Sequence, residues 1–173
     1  MLGLFRLNII KLAYTKSMDQ VIRLTADGSI VLIAMLSLYA FVFLIPRKNW
    51  KFWAPRIVAA GLTSYLAAKI AAILYQPETM RPFEKLGVEP GAAYLNNPGF
   101  PSDHALFAMF LVLAVWYSTR NKWLSIILLA LTVVMGVGRV LALVHTPVDV
   151  IGGFLLAFVG MIWYRRTAKK VVK

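Results

Sequence analysis

Long runs of apolar residues separated by short charged clusters set the pattern of this chain. The runs fall at 30–46, 54–76, 104–119, 123–143 and 148–164, each 16 to 23 residues long. That is close to the ~20 residues a helix needs to cross the hydrocarbon core of a bilayer. The expected fold is therefore all-α, a polytopic membrane helix bundle with about five transmembrane helices, in a single domain spanning residues 1–173. The segment Met1–Gly28 differs, because Leu, Phe, Ile and Tyr are mixed with Arg6, Lys11, Lys16 and Arg23. This mixture predicts an N-terminal interfacial amphipathic helix. Arg6, Asn8 and Lys11 interrupt its apolar part, so it does not read as a signal peptide. Insertion of Met1–Ala13 would raise the span count to six; five is the expectation.

Composition supports a bilayer as solvent. Of 173 residues 60% are hydrophobic and mean hydropathy is +0.72, more apolar material than one soluble core of this length uses. The net charge of +12 does not point to nucleic acid, since the basic residues flank apolar runs instead of forming a soluble face or arm. Arg47, Lys48, Lys51 and Arg56 follow the first run, Arg120 and Lys122 the third, and Arg165, Arg166, Lys169, Lys170 and Lys173 the fifth. By the positive-inside rule these regions and the C-terminus are cytoplasmic, in a multi-pass protein of the plasma membrane. The loop 77–103 and the turn near 144–147 then face outward. With no cysteine there is neither a disulfide framework nor a thiolate metal site.

Candidate chemistry collects on those two outer segments. Both histidines lie at outer ends of spans: His104 opens the third and His145 precedes the fifth. A neutral imidazole can attack phosphorus if its other ring N–H is held, and Asp149, one helical turn beyond His145, is placed to hold it. Thr146, Pro147 and Asp149 also resemble a capping box at a helix start, and the two roles can coexist. Arg139, in an otherwise apolar run, needs a partner: a phosphate, the interface, or an acid in an ion pair. Ser102 is suited to cap the third span, leaving backbone N–H groups directed at an anion, and His104 beside it is a candidate general acid. Gly136, Gly138, Gly152 and Gly153 are expected to allow close helix packing. Trp50, Trp53, Trp123 and Trp163 are expected as interfacial anchors at the cytoplasmic ends.

Three segments resemble the tripartite signature of the type 2 phosphatidic acid phosphatase superfamily, which includes bacterial undecaprenyl-diphosphatases. Pro101-Ser102-Asp103-His104 is similar to its Pro-Ser-Gly-His motif, and the Asp variant looks like the undecaprenyl-diphosphatase branch. Gly138-Arg139, five residues, His145, three residues and Asp149 match Ser-Arg-x5-His-x3-Asp except at the leading serine. Of Lys-x6-Arg-Pro only Arg81-Pro82 are present; Leu74 stands at the lysine position. Lys69 lies five residues too early, as a displaced phosphate ligand or a member of an ion pair, and Lys85 is another possible substitute. The resemblance covers about residues 60–165. It implies a phosphohydrolase needing no divalent metal or other cofactor, a phosphohistidine at His145 and a proton donor in His104. It also implies phosphate binding by Arg81, Ser102 and Arg139, and Asp103 and Lys69 join that set as candidates.

The leading expectation is hydrolysis of undecaprenyl diphosphate to undecaprenyl phosphate at the outer face, with membrane lipids as the surrounding partners. Phosphatidylglycerophosphate, phosphatidate and lipid A are sibling substrates, because residues that bind phosphate do not report on the lipid tail. A non-catalytic lipid phosphate binding or transport protein is the alternative of another class, motivated by the altered first motif. A metal-dependent hydrolase is disfavoured by two histidines with distant carboxylates.

Overall fold

A computed structural model describes residues 16–165. Met1–Ala13 and the rest of the N-terminal fifteen residues lie outside it. Lys16–Arg23, Leu24–Gly28, Ser29–Tyr39 and Ala40–Leu44 run end to end as one helix, α1, with π turns at its second and fourth segments. The sequence placed the start of this span at 30, because Asp27 and Gly28 end the apolar run. The helix instead continues outward through both, and residues 16–28 form its amphipathic extension. Asp27 is tolerated there because it has a cationic partner, described below.

A 3₁₀ turn at Arg47–Asn49 leads into α2 (Trp50–Leu74); a short helix α3 (Pro82–Leu86) sits in the long loop; α4 (Asp103–Thr119) and α5 (Lys122–Leu141) follow. The last helix, α6, runs from Pro147–Ala157 through a 3₁₀ segment Phe158–Met161 to Ile162–Arg165. The described residues contain no strand. Among the described residues four helices are long and apolar enough to cross a membrane: Met18–Leu44, Arg47–Leu74, Lys122–Leu141 and Pro147–Tyr164. The fifth, α4, has 17 residues, which at 1.5 Å per residue gives about 26 Å. It packs against α1, α2, α5 and α6, so its neighbours shield it and it need not meet lipid over its whole length.

Small residues set these crossings. A Cβ on Gly153 would lie 2.5 Å from the Ser102 carbonyl oxygen, and one on Gly160 2.5 Å from that of Ala60. Ser64 Oγ donates to the Ala157 carbonyl at 3.1 Å and accepts the Gly160 N–H at 3.0 Å, tying α2 to α6. Leu62, Leu66, Ile73, Val134 and Leu155 point away from the bundle, a surface that suits lipid and not water. Trp53 departs from expectation: it is buried against Tyr164 in the core instead of anchoring at the interface.

The five long helices alternate in direction. The start of α1, the end of α2, the start of α4, the end of α5 and the start of α6 meet at one end of the bundle, as the contacts Asp27–Arg139, Lys69–Asp103 and Ser102–Asp149 show. Arg47, Lys48, Arg120 and Lys122 occupy the opposite end. All candidate chemical residues share the first end.

Candidate active site

Helix α5 ends at Leu141 and the chain reverses through residues 142–146, with Leu143 at φ 60°. The reversal delivers His145, 5% exposed, to the start of α6. There Thr146 is the N-cap: its Oγ1 accepts the Asp149 N–H at 3.2 Å, while Asp149 Oδ2 accepts the Thr146 N–H at 2.8 Å. This capping box fixes the carboxylate, and the same Oδ2 stands 3.6 Å from His145 Nδ1. That separation is an ion-pair contact just beyond hydrogen-bonding distance, and Nδ1 has no other partner. Asp149 thus stands beside His145, as the sequence expected, but without a hydrogen bond to Nδ1, and Nε2 is the ring nitrogen not turned to it. Gly99 closes over the carboxylate, since a Cβ there would sit 3.0 Å from Asp149 Oδ2.

The second motif is tied to the third through the backbone, the Ser102 N–H donating to the Asp149 carbonyl at 2.9 Å. Ser102 is fully buried and caps α4, its Oγ accepting the Ala105 N–H at 3.4 Å. Asp103 and His104 form the first turn of that helix. Lys69 reaches out of α2 to Asp103, with Nζ 3.1 Å from Oδ1 and 3.3 Å from Oδ2, and lies 4.8 Å from the Tyr65 ring centre. Asp103 is thus paired with Lys69. Lys85 pairs with Glu78 and takes no part in the cluster. Leu74, at the family lysine position, is exposed.

Arg81 is the N-cap of α3, its own N–H bonded to Glu84 Oε2 at 2.6 Å. Its guanidinium turns inward: Nη1 donates to the Val144 carbonyl, and Nη2 to Leu95 O at 3.0 Å, Asn97 O at 3.1 Å and Asn97 Oδ1 at 2.9 Å. It clamps the long loop to the turn before His145. Further stitches are Phe83 N–H to Leu143 O and Gly91 N–H to Ala142 O, both 3.0 Å, over a small core of Phe83, Ala92, Ala142 and Val144. Arg139 is almost completely buried, and its Nη1 donates to Asp27 Oδ1 at 2.8 Å. The ion-pair alternative for Arg139 is thus realised, with an acid from α1.

Two buried guanidinium nitrogens, Arg81 Nε and Arg139 Nε, have no hydrogen-bond partner. Buried donors left unpaired are costly, and an anion supplying oxygens to both removes the cost. The guanidinium groups, both histidines and Asp149 are close enough for their charges to act on one another. Burial pushes the His145 pKa below the ordinary 6.5; Asp149 opposes the shift, and Arg139 and Arg81 add to it. The imidazole is held neutral, the form in which nitrogen is a nucleophile. Burial likewise lowers the Arg81 pKa, with Asp149 the largest opposing influence. Among the described residues no group of three or more His, Cys, Asp or Glu side chains is arranged to hold a metal ion. Beside the site an apolar groove of about 590 Å³ runs between α2 and α4, with Gly61, Leu62 and Phe110 among its walls and Asp103 at its end.

Comparison with known proteins decides the family. Residues 56–173 match the PAP2 superfamily. The chain belongs to that superfamily. PAP2 proteins are phosphatases, and this PAP2 chain is a multi-pass membrane protein. It is 25% identical over 151 residues to the undecaprenyl-diphosphatase BcrC of Bacillus subtilis (strain 168), over 86% of this chain and 74% of that protein. No solved structure matches it.

Four residues that contact the candidate site were not singled out in the sequence: Asp27, Gln76, Asn97 and Gly99. Gln76 Nε2 donates to Ala72 O at 2.7 Å and Phe100 O at 3.1 Å, fastening the end of α2 to the entry of α4. Asp27 carried a usable signal, an acid bordering a long apolar run that needs a partner by the same reasoning applied to Arg139. Asn97 and Gly99 carried none.

Proposed function

We propose that this protein hydrolyses undecaprenyl diphosphate to undecaprenyl phosphate and inorganic phosphate at the outer face of the plasma membrane. The observation that carries the chemistry is the buried His145 beside Asp149, together with two arginines whose buried Nε donors are unpaired. His145 Nε2 attacks the terminal phosphorus as the bond to the bridging oxygen breaks. His104 gives that oxygen a proton, and undecaprenyl phosphate leaves. The imidazole, now bonded to phosphorus, is cationic, and Asp149 stabilises it. Water then attacks the phosphohistidine, giving its proton to His104, and phosphate departs. Arg81, Arg139 and the backbone N–H groups at the start of α4 hold the phosphoryl oxygens. Lys69, tethered to Asp103, supplies positive charge in place of the motif lysine. The apolar groove between α2 and α4 receives the start of the isoprenoid chain.

Support for the substrate is the likeness to an undecaprenyl-diphosphatase along most of the chain, together with the Asp in Pro101-Ser102-Asp103-His104. Support for the orientation is the basic clusters at the end of the bundle opposite the site. The test is phosphate release by purified protein in detergent with chelator present, comparing the parent with His145→Ala. Undecaprenyl diphosphate, phosphatidate and phosphatidylglycerophosphate are offered in competition. Chelator-resistant release that favours the diphosphate and vanishes in the variant is expected. Preference for either glycerolipid would reassign the substrate. Absence of release by folded parent protein would replace the enzyme by a lipid phosphate binding protein.

A further inference from the structure

Asp27 stands outside the three motifs and outside the part of the chain that matches the superfamily, residues 56–173. Its carboxylate nevertheless bridges two parts of the site. Oδ1 accepts from Arg139 Nη1 at 2.8 Å, and Oδ2 accepts the Ala93 N–H of the long loop at 2.9 Å. A guanidinium offers an Nη1 side and an Nε side, and Asp27 occupies only the former. The Nε of Arg139 is buried and unpaired, so the edge formed by Nε and Nη2 is left for another anion.

The local backbone explains how α1 comes so close. Asp27 lies in the π turn Leu24–Gly28, a widening that re-aims side chains and recurs at functional sites. Facing it is Gly138, where a Cβ would meet Ala26 N at 2.9 Å and the carbonyl carbon of Thr25 at 3.0 Å. Both are backbone atoms that cannot swing aside. A serine at 138, as in the family motif, does not fit this approach. The one departure in the third motif is therefore coupled to the arrival of Asp27.

We infer that Asp27 is a positioning residue of the phosphate site, aiming Arg139 so that its free Nε edge meets a phosphoryl group, in an arrangement that glycine at 138 makes possible. The inference rests on the phosphatase reading above. Without Asp27 the arginine is buried and unpaired, free to turn to other acceptors, and the phosphate loses a preorganised fork. A charge-assisted hydrogen bond of this kind corresponds to a factor of about ten to a hundred.

The experiment uses the full chain in detergent. Asp27→Asn is isosteric, but offers one acceptor oxygen where two are used; Asp27→Glu keeps both. Steady-state kinetics with a lipid phosphate, inhibition by orthovanadate, and thermal unfolding with and without orthovanadate are measured for each. Asp27→Asn is expected to lower kcat/KM and to weaken orthovanadate about tenfold to a hundredfold, with Asp27→Glu recovering part of both. Gly138→Ser is expected to reproduce the Asp27→Asn defect, and the double variant to be no worse than either alone. A folded Asp27→Asn with unchanged kcat/KM and orthovanadate affinity, even if it melts earlier, would reduce Asp27 to a structural tie and overturn the inference. Inactivity of the parent is a different failure, that of the phosphatase reading. The loss or persistence of the orthovanadate-induced thermal shift in Asp27→Asn then decides about Asp27 without turnover.

Discussion

Replacing Asp149 by Asn isolates the contribution of one charge to the chemistry. The carboxylate oxygen stands 3.6 Å from His145 Nδ1. At that distance, with an effective dielectric near 20, it interacts with a full imidazolium charge by about 5 kcal/mol. In the proposed mechanism the ring is neutral before attack and cationic after it, so this attraction would develop along the reaction and lower the barrier instead of tightening binding. With roughly half to two-thirds of the charge present at the transition state, the loss is about 2–3 kcal/mol, or about 30- to 160-fold in kcat. KM should change little. Stability should fall by no more than about 1 kcal/mol, because the amide oxygen of Asn can still accept the Thr146 N–H. Thr146→Ala is the control: it loses the cap and about 1 kcal/mol of stability but keeps the charge, so kcat is expected to stay within a few-fold of the parent. Phosphate release, with thermal unfolding of the same preparations, checks both. A folded Asp149→Asn with kcat within threefold of the parent would refute the electrostatic role and leave Asp149 as a helix cap alone.

Because burial holds the His145 pKa below 6.5, the acid limb of kcat/KM controlled by this residue is expected to fall at a pH below 6.5. The same shift contributes stability that is complete above 6.5 and is lost as pH falls through the folded-state value, which thermal unfolding across pH 4–7 would show. Lys69→Met leaves Asp103 uncompensated beside the phosphate, so KM should rise about tenfold, and Lys69→Met with Asp103→Gly should recover part of it; strict additivity in the double-mutant cycle would sever the two residues functionally. Gly153→Ala drives a methyl toward the Ser102 carbonyl and should cost about 1–3 kcal/mol of stability along with activity, measured by melting and phosphate release.

The helical membrane bundle was legible because the bilayer demands long apolar runs; four of the five expected spans are long enough to cross among the described residues, and the third is a shorter apolar helix. The His145–Asp149 pair was legible because it closes within one helical turn, and its capping box has a local signature in Thr146 and Pro147. The partner of Arg139 was not, since Asp27 lies 112 positions away and charge pairing at that separation leaves no periodic trace. The same holds for Lys69 and Asp103, 34 apart, where the need for a partner could be read but not which one. The start of α1 was misplaced for a related reason: a charged residue ends an apolar run on paper, yet a paired one does not end a helix. Gly138 was legible both as a missing serine and as a site of close helix packing, but not that the helix packed against it is α1.

The stitches between the long loop and the turn before His145 bear on inhibition. Arg81 to Val144, Phe83 to Leu143 and Gly91 to Ala142 leave His145, the proposed nucleophile, little independence from the long loop. In the proposed orientation that segment is the part of the enzyme most open to the extracellular medium. A binder that grips residues 88–95 and shifts the loop would carry the turn with it and misalign the imidazole without entering the phosphate site. Its target would be reached without crossing the membrane, and it would not have to compete with a charged, membrane-embedded substrate.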